Sequence, residues 1–203
     1  MAKTAQRRTS RTKSGRTGKP DPLIIGGVAI FLLIIAAVVY FNVRQSLQMA
    51  GEQTFNTQGN AHITPEERNT FVYNRTPPTS DPHYSSLTQW GIHREPVPYE
   101  LLIHNLEDGG VVIYYQCGDS GCEETRSALE AIVEPYDRAD QHVVLAPNEP
   151  QWSDGVSTHA DMGAPIAVTA WNHLLTLDSV DEARIQAFIA KYLGIDHHVS
   201  GGG

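Results

Sequence analysis

The sequence predicts one membrane-spanning helix followed by an α+β (mixed α/β) domain, and three observations predict it. The run LIIGGVAIFLLIIAAVVYF, Leu23 to Phe41, is uncharged, and at ~1.5 Å rise per residue it is long enough to cross a hydrocarbon core of about 30 Å. Downstream, short β-branched and aromatic runs such as GVVIYYQ, HVVLAP and PIAVTAW alternate with segments of helical period. Two of those segments are amphipathic, which suits a small sheet with two covering helices better than a helical bundle.

Residues 1–21 carry Lys3, Arg7, Arg8, Arg11, Lys13, Arg16 and Lys19, and no acid before Asp21. Interleaved with Ser, Thr and Gly, such a segment cannot bury a core and reads as a disordered basic tail. Residues 22–43 form the expected transmembrane helix, in contact with the lipid bilayer. Tyr40 and Phe41 mark its far edge as interfacial aromatics. A cleaved signal peptide is the competing reading, but bulky Tyr40, Phe41 and Asn42 stand where small residues would be needed. Seven Lys/Arg precede the span and only Arg44 follows it closely, so the tail is expected in the cytoplasm and the rest outside the cell membrane. The formal net charge of -8 then divides into a basic inside and a strongly acidic outside. An acidic exterior argues against nucleic acid as the outer partner and is compatible with cations.

Residues 44–97 are rich in Gln, Asn, Thr, Pro and Tyr and read as an extended arm. Within it, TPPTSDPHY contains Pro77, Pro78 and Pro82, which exclude helix and central strand and fix a stiff path. The α+β domain is expected over 98–194. YELLIH reads as a short strand, EDGG as a turn and GVVIYYQ as a second strand, together a hairpin. The segment CEETRSALEAIVEPY reads as a helix, with Ala128, Leu129, Ile132 and Val133 on one face and Pro135 as its end. HVVLAP is a strand, and PIAVTAW and HLLTL form a strand pair with Asn172 near the turn. DEARIQAFIAKYLG is an amphipathic helix, with Ile185, Phe188, Ile189 and Tyr192 inward and Gly194 at its stop. Residues 195–203, IDHHVSGGG, are expected to be a flexible tail. The predicted order is β-β-α-β-β-β-α.

The two cysteines, Cys117 and Cys122, lie outside the cell by the charge argument, where disulfides persist. A structural clip closing a short loop is one reading. The other is a redox pair, because a strand ends at Cys117 and a helix begins at Cys122, whose dipole would lower a thiol pKa. Gly163-Ala164-Pro165-Ile166 precedes a strand at the place where thioredoxin-like proteins carry a cis-proline beside their dithiol. Gly110 to Gly194 therefore resembles a thioredoxin-like core. That resemblance implies Cys117, Cys122 and Pro165 as a redox site, although four residues separate these cysteines where the family has two. GDSG, Gly118 to Gly121, looks like a protease nucleophile motif, but small turn residues are what such a loop needs anyway.

Among the histidines, His62 in QGNAHI, His83 in TSDPHY and His104 in IHNLED are far apart in sequence and lie in no compact zinc motif. A lone histidine is usually an ordinary hydrogen-bonding residue. Loops converging on one rim can nevertheless assemble a site that spacing does not reveal. With Glu107 or Asp108 these imidazoles could hold copper, zinc or iron, and Met162 could add a soft ligand for copper.

QGNAHI, PPTSDPHY, HNLEDGGVVIYY and IAVTAW, in this order behind a membrane anchor, resemble the bacterial family catalogued as domain of unknown function 3105, over about Phe55 to Tyr192. The family's central motif usually reads His-Asn-Leu-Glu-His-Gly, so Asp108 stands where a second histidine would be, which would favour harder ions. Its PPTS motif usually continues with Gly, where this chain has Asp81. The resemblance implies membrane attachment and an outward domain, implies no reaction, and draws His62, His83 and His104 together. Three functions follow as expectations: a metal-binding or redox accessory protein, a thiol-disulfide oxidoreductase, and a non-catalytic scaffold beside a membrane-protein partner. There is no nucleophile elbow, phosphate loop or HExxH helix.

Overall fold

The computed structural model describes residues 22–48, 50–118 and 122–198; the basic tail 1–21 and residues 199–203 lie outside them. The chain divides into two compact units at Arg44 and Gln45. Helix α1 (Pro22–Gln48), most of it in the first, contains the window Ile24–Val43, with a mean hydropathy of 2.9 and no part of it buried. It is long and apolar enough to cross a membrane.

The second unit is built on a six-stranded mixed sheet. In chain order its elements are β1 (Glu52–Thr54), β2 (His62–Ile63), a 3-10 turn (Pro65–Thr70), β3 (His83–Tyr84), β4 (Gly91–Ile92), α2 (Tyr99–Glu107), β5 (Val111–Tyr115), α3 (Glu123–Arg138), β6 (Val143–Pro147), β7 (Ile166–Ala170), β8 (His173–Leu177) and α4 (Glu182–Tyr192). The sheet order is β1-β8-β7-β5-β6-β4, while β2 and β3 form a separate parallel pair. β5 runs parallel to β6 and antiparallel to β7, and β7 turns back into β8. Asn172 makes that turn with φ 66°, a left-handed conformation asparagine tolerates.

Every residue of β5 is buried, as a central strand covered on both faces requires. Val111, Ile113 and Tyr115 face a cluster with Leu129, Ile132 and Val133 of α3 and Ile185, Phe188 and Ile189 of α4. Val112 and Tyr114 face the opposite cluster, with Leu102, Ile103 and Leu106 of α2 and Trp171. A third helix, on the face opposite α3 and α4, thus adds to the two expected.

That third helix corrects the sequence reading of YELLIH. The segment is not a strand, and EDGG does not turn a hairpin. Tyr99, Leu102, Ile103 and Leu106 are all buried, a spacing of three and four that sets one helical stripe. A window closing at His104 omits Leu106 and hides it. Pro98 precedes the helix and its carbonyl accepts from the N–H groups of Leu101 and Leu102. EDGG instead ends the helix, with Gly109 at φ 74° and its N–H on the Leu106 carbonyl at 3.1 Å.

Pro135 does not end α3, which continues to Arg138. Proline's φ is helical and it forfeits a single N–H; one turn from the terminus that loss is small, and Tyr136 beyond it packs on the core. The 44–97 segment contributes both sheet edges, β1 on β8 and β4 on β6. The C-terminal segment packs back as far as His198, through Gly194 N–H to the Gly109 carbonyl and His197 N–H to the Glu107 carbonyl, both 2.8 Å.

Candidate functional site

The parallel pair of β2 and β3 sets His62 directly opposite His83. Both face the C-terminal half of α2, where helical spacing puts His104, Glu107 and Asp108 three and four residues apart on neighbouring positions. The three imidazoles meet at ring-centroid separations of 5.1, 5.1 and 5.3 Å. One ring nitrogen of each and a Glu107 carboxylate oxygen all lie within 4.8 Å of one another. Spacing in sequence gave no hint of this, because the residues come from two loop strands and a helix.

Three members of the cluster, His83, His104 and Glu107, are held from behind. His83 is fully buried, and its Nδ1–H donates to the Asp81 carbonyl at 2.7 Å. His104 is nearly buried and donates from Nδ1 to the Tyr84 carbonyl at 2.9 Å. In the neutral rings the Nε2 lone pairs are therefore free to face the cluster. Glu107 accepts from the Asn60 amide at Oε1, 3.2 Å away, while its Oε2 lies 2.9 Å from His83 Nε2 and 3.4 Å from His62 Nε2. Trp171 packs edge-on against the His83 ring at 6.0 Å and stacks on His197 at 5.8 Å.

Burial holds the His83 imidazolium below the ordinary range, against the Asp81 carbonyl and Glu107, which favour it. Burial pushes the Glu107 carboxyl up, but His83, followed by His198 and Asn60, outweighs it and holds it below the usual carboxylate range.

Sequence reasoning missed several parts of this site. Asn60 was visible only as part of a motif, and the Asp81 and Tyr84 carbonyls leave no trace in residue type. His198 approaches from the C-terminal segment, with Nε2 3.4 Å from Asp108 Oδ1 and 3.7 Å from Glu107 Oε2. The signal for it was the run DHH directly after a helix stop. Met162 does not join the imidazoles; it is buried in the apolar cluster under α2.

The cysteines lie at a different place. Cys117 and Cys122 form a disulfide with Cα atoms 5.2 Å apart. It opens on a cleft of about 350 Å³ lined by Arg94, Tyr115, Arg126 and Glu149. Cys117 also lines a shallower depression with Gln116, Asp161 and Pro165. The cis peptide bond among the described residues is Thr76–Pro77, and Ala164–Pro165 is trans.

A family model described as "Protein of unknown function (DUF3105)" matches residues 62–200, from the first histidine of the cluster to beyond the last. The chain belongs to the DUF3105 family. No curated protein and no solved structure matches it. Two residues noted in the motifs, Asp81 and Asp108, have defined structural settings. Asp81 adopts φ 140°, a conformation natural to glycine. Its carboxylate is buried and met by the equally buried Arg75, at 3.5 Å, and by the Gln58 N–H at 3.1 Å. The Asp108 Oδ1 lies 3.9 Å from His104 Nε2.

Proposed function

We propose that this DUF3105 protein is a single-pass, membrane-anchored accessory protein. Its extracytoplasmic domain binds a first-row divalent cation, zinc or copper, through His62, His83, His104 and Glu107, with Asp108 beside them. One observation carries the reading. His83 and His104 each commit their Nδ1–H to a main-chain carbonyl, so neutral rings bring two lone pairs to a carboxylate that is also acceptor-only. Acceptors gathered this way repel unless a positive charge lies between them. A single proton can bridge one pair of these atoms, whereas a metal ion serves all three and has His62 beside it. Donors about 2.1 Å from a tetrahedral ion lie about 3.4 Å apart, and the Glu107 oxygen is 2.9 Å and 3.4 Å from two of the imidazole nitrogens. Imidazole with carboxylate suits zinc and copper(II).

The anchor and its orientation rest on the apolar helix and on the basic residues that precede it. The reading is tested on the full chain purified in detergent micelles. Metal analysis after exhaustive dialysis, followed by reloading with zinc or copper, is expected to find tightly held metal in the native chain and its loss in His83→Ala. A native chain that emerges metal-free and takes up neither ion overturns the proposal.

A thiol-disulfide oxidoreductase is the second reading. The favouring observation is the shared depression of Cys117 and Pro165, together with the β5-α3-β6-β7-β8-α4 order and its strand directions, which suit a thioredoxin-like core. A reduction potential below about -300 mV, that of structural bridges, would count against it.

A further inference from the structure

We infer that Asp108 and His198 form a second cation position beside the first, so that the site holds two divalent ions with the Glu107 carboxylate between them; this rests on the metal-binding reading above.

Two sets of donors meet the distance condition for an ion, His62, His83, His104 and Glu107 in one and His104, Asp108 and His198 in the other. Each set is mutually close, but the six residues do not form one set. A single ion with donors at about 2.1 Å draws any two of them within about 4.2 Å, so these side chains as arranged supply more donors than one centre gathers. His104 belongs to both sets but can serve only one ion, since its Nδ1–H is spent on the Tyr84 carbonyl. The donor that reaches both sides is Glu107. Its Oε2 lies 2.9 Å from His83 Nε2 and 3.7 Å from His198 Nε2.

His198 repeats the arrangement of His83. Its Nδ1 lies 2.8 Å from Asp196 Oδ1, which orients the ring so that Nε2 sits 3.4 Å from Asp108 Oδ1 and 3.7 Å from Glu107 Oε2. The approach of the C-terminal segment is built into the backbone. Gly194 and His197 hydrogen-bond to the carbonyls of Gly109 and Glu107, and a Cβ on Gly109 would stand 2.9 Å from the main chain of Ile195. With two carboxylates to one or two imidazoles, and with the His198 side chain 44% exposed, the second position is the harder, more open and more readily exchanged of the two.

The test is a cobalt(II) titration of the metal-stripped full chain in detergent micelles, followed by visible absorption and metal analysis, for the native chain, Asp108→Asn and His198→Gln. Two equivalents in the native chain, with the weaker one lost in both variants and the tighter one retained, is the expected result. One equivalent in all three chains overturns the second position and leaves the first, assigning His198 to an imidazolium ion pair. Two equivalents persisting in either variant also overturns it. No bound cobalt in the native chain overturns the metal-binding reading itself. Both substitutions replace side chains at the solvent edge, and circular dichroism of each variant checks that the fold is retained.

Discussion

The Asn60 amide donates to Oε1 of Glu107, which fixes Oε2 as the oxygen that points into the histidine cluster. Supporting hydrogen bonds of this kind orient a ligand and set its basicity. Asn60→Ala is therefore expected to weaken zinc affinity by about 10- to 100-fold while the unfolding midpoint stays close to that of the native chain, measured by competition with a chelator of known affinity. Unchanged affinity would mean that Glu107 is held by its neighbours alone. The grouping of His62, His83 and His104 was suggested in the sequence by their loop settings and by motif resemblance, since a lone histidine in a loop has no distinguishing mark. What the motif could not supply was tautomer. The carbonyls of Asp81 and Tyr84 decide that, and a main-chain carbonyl belongs to every residue.

At the scale of elements, the decisive piece is the end of α2. The same nine residues carry a buried apolar stripe on one side and His104, Glu107 and the approach to Asp108 on the other. Gly109 then terminates the helix at φ 74° and leaves room for Ile195. Gly109→Ala is expected to cost about 1 kcal/mol or more from the left-handed backbone alone, with a further cost from displacing the C-terminal segment. In hydrogen exchange, the N–H groups of Gly194 and His197 should lose protection in this variant while β5 retains it. Equal protection in both chains would show that the segment docks without the glycine. The strand expectation for YELLIH failed because helix and strand compete closely over six residues, and only the position of Leu106 under the sheet separates them. β5, α3, β6, β7, β8 and α4 were legible because each has a long apolar period or a continuous buried run.

Across the whole second unit, buried histidines are expected to make stability depend on pH. His159 lies away from the imidazole cluster, 1% exposed, stacked on Tyr99 at 4.4 Å, with Nε2–H donated to the Val97 carbonyl at 2.9 Å. Burial lowers its pKa, outweighing Val97, Glu100 and Asp154, which raise it. The unfolded chain, with an imidazole pKa of about 6.5, takes up a proton before the folded one does. Stability from this group is thus complete above about 6.5 and is lost as pH falls toward the lowered folded value. In EDTA, to keep metal out of the comparison, the urea midpoint should drop between pH 7.5 and 5.5, and His159→Phe should flatten that slope. An identical slope in the variant would show that the other buried histidines account for it.

The sequence by itself determined the apolar helix, the amphipathic stripes of α3 and α4, the buried strands between them and the family, because each is written in local composition, period or motif. Only the tertiary structure decided that α2 covers the opposite face of the sheet, that two short loop strands pair in the register that joins His62 to His83, and that the C-terminal segment returns to the end of α2. Those outcomes depend on contacts between residues far apart in the chain, and the energy of such contacts belongs to the packed arrangement rather than to any one segment.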